Sequence, residues 1–122
     1  MTQSETNQST QETPADKIEI IQGRLIEGLM TNTRTFISGL YRNDILKVLR
    51  AAVEYFEFQD DEDAKQAITN AARAIIDNPD NKDMFNIELR SYLYHGSNEP
   101  TGQFVINTQG SSRVTICNYT LV

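Results

Sequence analysis

Apolar residues recur along the first half of the chain at helical spacing. Ile18, Ile21, Leu25 and Leu29 lie three, four and four positions apart, with Ile26 and Met30 widening the stripe. That is the pattern of a helix packed on one side. Thr13-Pro14-Ala15-Asp16 supplies its start: a capping hydroxyl, a proline at the first helical position and an acid in the first turn. Gly23 and Gly28 interrupt the stripe. Each costs about 1 kcal/mol relative to alanine, which points to a close helix contact. Thr31-Asn32-Thr33 predicts a break, after which Phe36, Ile37, Leu40 and Tyr41 form a second short apolar face near Gly39; the alternative is one helix running through residues 14–41.

Asn43-Asp44 is the expected cap of the next helix, with a stripe of Ile45, Leu49, Ala52, Val53 and Phe56, Leu46 beside it, and an end near Phe58. The acidic run Asp60 to Asp63 opens a further helix by capping free N–H groups at the positive end of the macrodipole. Its buried side is Ala64, Ile68, Ala71, Ala72 and Ile75, and Asn78-Pro79 stops it. Phe85, Leu89, Tyr92 and Leu93 predict a last helix ending at His95-Gly96. Beyond a connector holding Asn98, Pro100 and Gly102, residues 103–107 and 113–121 are rich in β-branched and aromatic side chains. They predict a C-terminal β-hairpin turning around Gly110. A hairpin alone is marginal in water, so it packs on the helices or pairs with another chain.

The expected fold is therefore mainly α: a small bundle of four to five helices with a C-terminal β-hairpin and a disordered N-terminal tail. Residues 1–13 form the polar tail, 14–95 the helical domain and 96–122 the connector and hairpin. Between Met1 and Pro14 the chain holds only Ser, Thr, Gln, Asn and Glu, too little apolar surface to offset the entropy of ordering.

Charge narrows the function classes. Seventeen acidic against eleven basic side chains give −6 over 122 residues, which argues against a protein that coats nucleic acid. Residues 60–95 carry eight of the acids and four bases, so the negative field sits in the second half of the helical part. A single cysteine, Cys117, excludes an internal disulfide and fits a reducing compartment. The opening residues have no basic, apolar signal pattern, and no stretch approaches the roughly twenty apolar residues of a membrane helix. A cytoplasmic location is expected, or the virion if the source is viral. Asn7-Gln8-Ser9 and Asn118-Tyr119-Thr120 match the glycosylation pattern by chance on that reading.

Candidate chemistry is sparse. Asp60-Asp61-Glu62-Asp63 lacks the alternating acids and central glycine of a calcium loop, and helix capping accounts for it. His95, Cys117 and Glu99 are the members a thiol-nucleophile site would need, without supporting spacing. No phosphate-cradling glycine loop or metal-ligating histidine pair is present, so no catalytic, cofactor-binding or metal residues are assigned and the protein is read as non-enzymatic. Arg34, Tyr41, Arg42, Lys47 and Arg50 form a locally basic run, a candidate patch for phosphate or for a partner. Phe104, Ile106, Val114, Ile116, Tyr119 and Leu121 are the hairpin's candidate interface.

About twenty residues, from Tyr55-Phe56-Glu57-Phe58 through the acidic turn to Ala71-Ala72-Arg73-Ala74-Ile75-Ile76-Asp77, resemble the helical head-to-tail connector proteins of tailed phages. In that family an acidic turn opens a helix with an alanine-alanine-arginine run. The resemblance implies a ring-forming assembly protein. Two functions follow from the chain as a whole. The first is an interaction or assembly module that associates with itself or another protein through the terminal arm and hairpin. The second is a small regulator that captures nucleic acid or a nucleotide at the basic patch.

Overall fold

A computed structural model describes residues 14–92, 101–108 and 114–120. Helix α1 spans Ala15–Thr31, with Pro14 as its N-cap. It ends where the sequence predicts, because Asn32 turns left-handed at φ 53° and the Gly28 carbonyl accepts from the N–H groups of Asn32 and Thr33. The apolar positions that follow form a strand, not a second helix: β1 spans Thr35–Leu40. Its register explains the discrepancy. Ile37 pairs with Ile87 and Leu40 with Phe85, so three steps on β1 match two on its neighbour. The extra residue is a bulge at Gly39, whose φ of +76° suits glycine, and it turns both Ile37 and Leu40 inward. A bulged strand has thereby acquired a three-residue spacing that reads as helical.

Helices α2, Arg42–Phe58, and α3, Glu62–Ile76, follow the predicted stripes. The Asp61 carboxylate accepts from the Ala64 N–H at 3.1 Å, so an acid of the Asp60–Asp63 run serves as a helix cap. The opposite end of α3 is capped from α2. Arg42 donates to the carbonyls of Ile75 and Ile76 at 3.3 and 2.9 Å, satisfying acceptors that the last turn leaves open.

Three further strands complete the fold: β2, Phe85–Tyr92; β3, Thr101–Thr108; and β4, Val114–Thr120. The expected last helix is thus a strand. Phe85, Ile87 and Leu89 are buried in strict alternation with Asn86, Glu88 and Arg90, the period of a pleated surface. All four strands pair antiparallel in the order β1-β2-β3-β4. Over the described residues the molecule is therefore an α+β fold of three helices and one sheet, not a bundle of four to five helices carrying a lone hairpin. β3 pairs with β2 along eight positions, so the C-terminal strands are continuous with the sheet rather than an extension of a helical domain.

The core lies between the helices and one sheet face. Leu25 and Leu29 from α1, Ile45, Leu49 and Phe56 from α2 and Ile68 from α3 meet Ile37, Ile87, Leu89 and Phe104. Tyr119 joins β4 to this layer, its ring 5.5 Å from that of Phe56. Opposite Tyr119 in the register stands Gly102, where a Cβ would come within 2.5–2.7 Å of the tyrosine ring. The glycine makes room for the ring to lie across the neighbouring strand. Asp44, only 1% exposed, sits in the first turn of α2, where the helix dipole favours a carboxylate.

Candidate functional site

The basic run does not gather into one patch. Arg42 is committed to the end of α3, and Arg50 pairs with Glu54 one helical turn away at 3.6 Å. Lys47 and Asn43 are exposed on α2, and Tyr41 is half-buried just before it. Arg34, between α1 and β1, reaches Glu88 of β2 at 3.4 Å, while Arg90 holds the other Glu88 oxygen at 3.0 Å. These residues are close in sequence, but a strand and a helix start between them and send their side chains to different neighbours.

The hairpin's apolar residues are largely consumed by the fold. Phe104, Ile106 and Tyr119 belong to the core beneath the helices and offer no outer interface. Val114 and Ile116 stand at register positions opposite Asn107 and Val105. Cys117 occupies the middle of β4, paired with Phe104. His95, Glu99, Leu121, the tail 1–13 and the connector 96–100 lie outside the described residues.

The sheet face away from the core has a different chemistry. Glu88 is clamped by Arg34 and Arg90, Asn86 donates to Asn107 across the strands at 3.3 Å, and Phe36 is 55% exposed. Val105 is buried between these polar neighbours. The hydrogen bond from Arg90 holds the Glu88 carboxyl below the usual carboxylate range, against the opposing effect of burial and with further help from Arg34. A depressed value means that this stabilisation is present above the ordinary carboxylate pKa and is lost as pH falls through the folded one. Glu88→Gln is expected to narrow the difference in urea midpoint between about pH 7 and about pH 3. Wild type and variant losing equal stability over that interval would show that Glu88 does not contribute to acid sensitivity.

Beside this face, Arg24, Glu27, Gly28 and Thr31 of α1 and Thr33 to Phe36 enclose a cleft of about 460 Å³. Arg24 donates to the Phe36 carbonyl at 3.3 Å, and Thr31 and Thr33 share a hydroxyl hydrogen bond of 2.7 Å. Arg34 lines the cleft as well, the one member of the predicted patch to do so. Sequence reasoning missed Arg24 and Phe36 because nothing local links residues twelve positions apart.

The two edges of the sheet are finished differently. β1 is six residues long and bulged, and Arg24 covers the Phe36 carbonyl. Such features deter another strand from adding. β4 closes the other side and, among the described strands, is hydrogen-bonded to β3 alone. Its seven residues, Val114-Thr115-Ile116-Cys117-Asn118-Tyr119-Thr120, contain no charge, proline or glycine, and its register against β3 is uninterrupted. This signal was legible in the sequence, where the same run is free of charge.

No known protein family, curated protein or solved structure matches the chain. Among the described residues no helix is long and apolar enough to cross a membrane.

Proposed function

We propose that the chain is a non-enzymatic assembly module that associates with itself by extending its sheet at β4. The observation that carries this reading is the unequal treatment of the two edges. β1 has a bulge and an arginine over a carbonyl, while β4 presents an uncharged, regular strand of seven residues. An edge strand of that kind is a template for another strand, and chains that need to stay apart blunt it with charge, proline or a bulge. Two of the ionisable groups considered for chemistry support the same reading through their structural employment, Asp61 and Arg42 capping the two ends of α3.

Light scattering on the full chain, from low micromolar to millimolar concentration, tests the proposal. The expected result is a mass above the 13.8 kDa of one chain that rises with concentration. A strict monomer over the whole range would overturn it.

A further inference from the structure

We infer that the cleft between α1 and β1 binds a nucleoside monophosphate, with the phosphate on Arg24, Arg34 and the Phe36 N–H and the base on the Phe36 ring. This goes beyond the assembly reading and does not depend on it. The site begins with the geometry of an edge strand. Phe36 stands opposite Glu88 in the register with β2, and its carbonyl turns away from that strand to accept from Arg24. In an antiparallel ladder the N–H and C=O of one residue point to the same side. The Phe36 N–H therefore faces the cleft side as well, where a backbone donor calls for an acceptor.

Two guanidinium groups reach the cleft from different elements, Arg24 from α1 and Arg34 from the segment before β1. Arg24 holds the Phe36 carbonyl at 3.3 Å and Arg34 the Glu88 carboxylate at 3.4 Å, each through its Nη2. Those are long distances for charged hydrogen bonds. A guanidinium carries five N–H donors, so each arginine can keep its contact and still hold a ligand. Glu88 has the closer Arg90 at 3.0 Å, and the Arg34 side chain is 79% exposed, so Arg34 can turn inward without stranding a carboxylate.

The lining decides what kind of anion fits. Arg24 and Arg34 outweigh the Glu27 carboxylate, which makes the cleft locally cationic on a chain of −6. Three donor groups match the three terminal oxygens of a phosphate better than the two of a carboxylate. Inorganic phosphate alone would leave most of the 460 Å³ empty and would meet Glu27 as a like charge. The ligand therefore also brings hydroxyl donors for Glu27 and a flat face for Phe36, whose ring is 55% exposed. A ribose and a base supply both. The linked hydroxyls of Thr31 and Thr33, 2.7 Å apart, give the sugar further partners.

Titration calorimetry on the full chain compares AMP, GMP, CMP and UMP with adenosine and inorganic phosphate. The expected result is saturable binding of at least one monophosphate, about tenfold or more tighter than adenosine or phosphate and weakening as salt rises. Arg34→Gln, at an exposed position, is expected to weaken that binding by about tenfold, the loss of one charged partner. Phe36→Ala is expected to weaken it about fivefold or more, the loss of a stacked base, and to leave phosphate binding unchanged. Lys47→Gln, an exposed base on α2 outside the cleft, changes none of these affinities. Circular dichroism checks that each variant is folded; if Phe36→Ala is not, the adenosine and phosphate arms on the wild type decide the role of the base.

No saturable heat with any monophosphate up to about 10 mM would overturn the inference. Inorganic phosphate binding as tightly as the best monophosphate would overturn the base site. Equal weakening by Lys47→Gln and Arg34→Gln would overturn the location. A single-stranded oligonucleotide binding where no monophosphate does would overturn it in favour of a nucleic-acid strand. None of these results bears on the concentration-dependent mass that tests self-association, so the two readings fail separately.

Discussion

Phe56→Ala is expected to lower the unfolding free energy by about 3–5 kcal/mol, the largest single loss among the substitutions considered. Phe56 is 2% exposed, and its ring is 5.4 Å from Tyr55 and 5.5 Å from Tyr119. Truncation removes the transfer energy of the ring and leaves a cavity between α2 and the sheet. Tyr119 loses one wall of its site at the same time. The measurement is urea unfolding followed by circular dichroism, comparing midpoints at unchanged slope. A loss below about 1 kcal/mol would mean that the helices collapse onto the sheet and refill the site.

Gly28→Ala is expected to destabilise the chain by about 1–3 kcal/mol net, although alanine is the better helix former. The backbone argument alone favours the substitution by about 1 kcal/mol. Packing reverses the sign. A Cβ at Gly28 would collide with Thr35 Oγ1 and lie 2.8 Å from Leu89 Cδ1. Leu89 is buried in the core, and the Thr35 hydroxyl is held by the Thr33 carbonyl at 2.9 Å, so neither neighbour withdraws freely. Gly23 is the internal control, since the same added atom would meet nothing within 4 Å. Gly23→Ala is therefore expected to stabilise by up to about 1 kcal/mol. Equal effects at the two glycines in parallel melts would show that α1 does not press on β1 and β2 as closely as described.

The two glycines also mark how far the sequence could be read. Their shared position in one apolar helix suggested a close contact, but only the folded chain distinguishes Gly28, pressed on the sheet, from Gly23, facing open space. Some helix boundaries were legible from a local device, since the break near Asn32, the Asp61 cap and the stop at Asn78-Pro79 depend on neighbours in sequence; the expected Asn43-Asp44 cap was not one of them, because α2 already starts at Arg42 with Tyr41 as its N-cap. The strands were less so. β1 was hidden by its bulge, which gave Ile37 and Leu40 a helical interval. In β2, Phe85, Leu89 and Tyr92 fit a helical face if Ile87 is passed over, whereas weighing Ile87 against Asn86 and Glu88 exposes the alternation. Missing both strands left the C-terminal pair as an orphan hairpin, when it is half of a four-stranded sheet.

The candidate site was legible to a similar degree. Five residues near one another in sequence suggested a basic patch, yet Arg42 caps a helix that ends more than thirty positions later, and Arg34 answers a glutamate on β2. Such partners are set by topology, which charge spacing does not report. The uncharged character of β4 was visible from the start, but its place as the outermost of the described strands, opposite the bulged β1, was not.

Gly102 and Tyr119 behave as one unit in a way that extends beyond this chain. The ring occupies the volume that a side chain at 102 would claim, so neither position is free to drift alone. In descendants that keep the sheet, a bulkier residue at 102 becomes acceptable only after the ring at 119 has shrunk, and the loss of the ring exposes a glycine that weakens the strand. The order of the two changes is thereby constrained, and the pair is expected to covary.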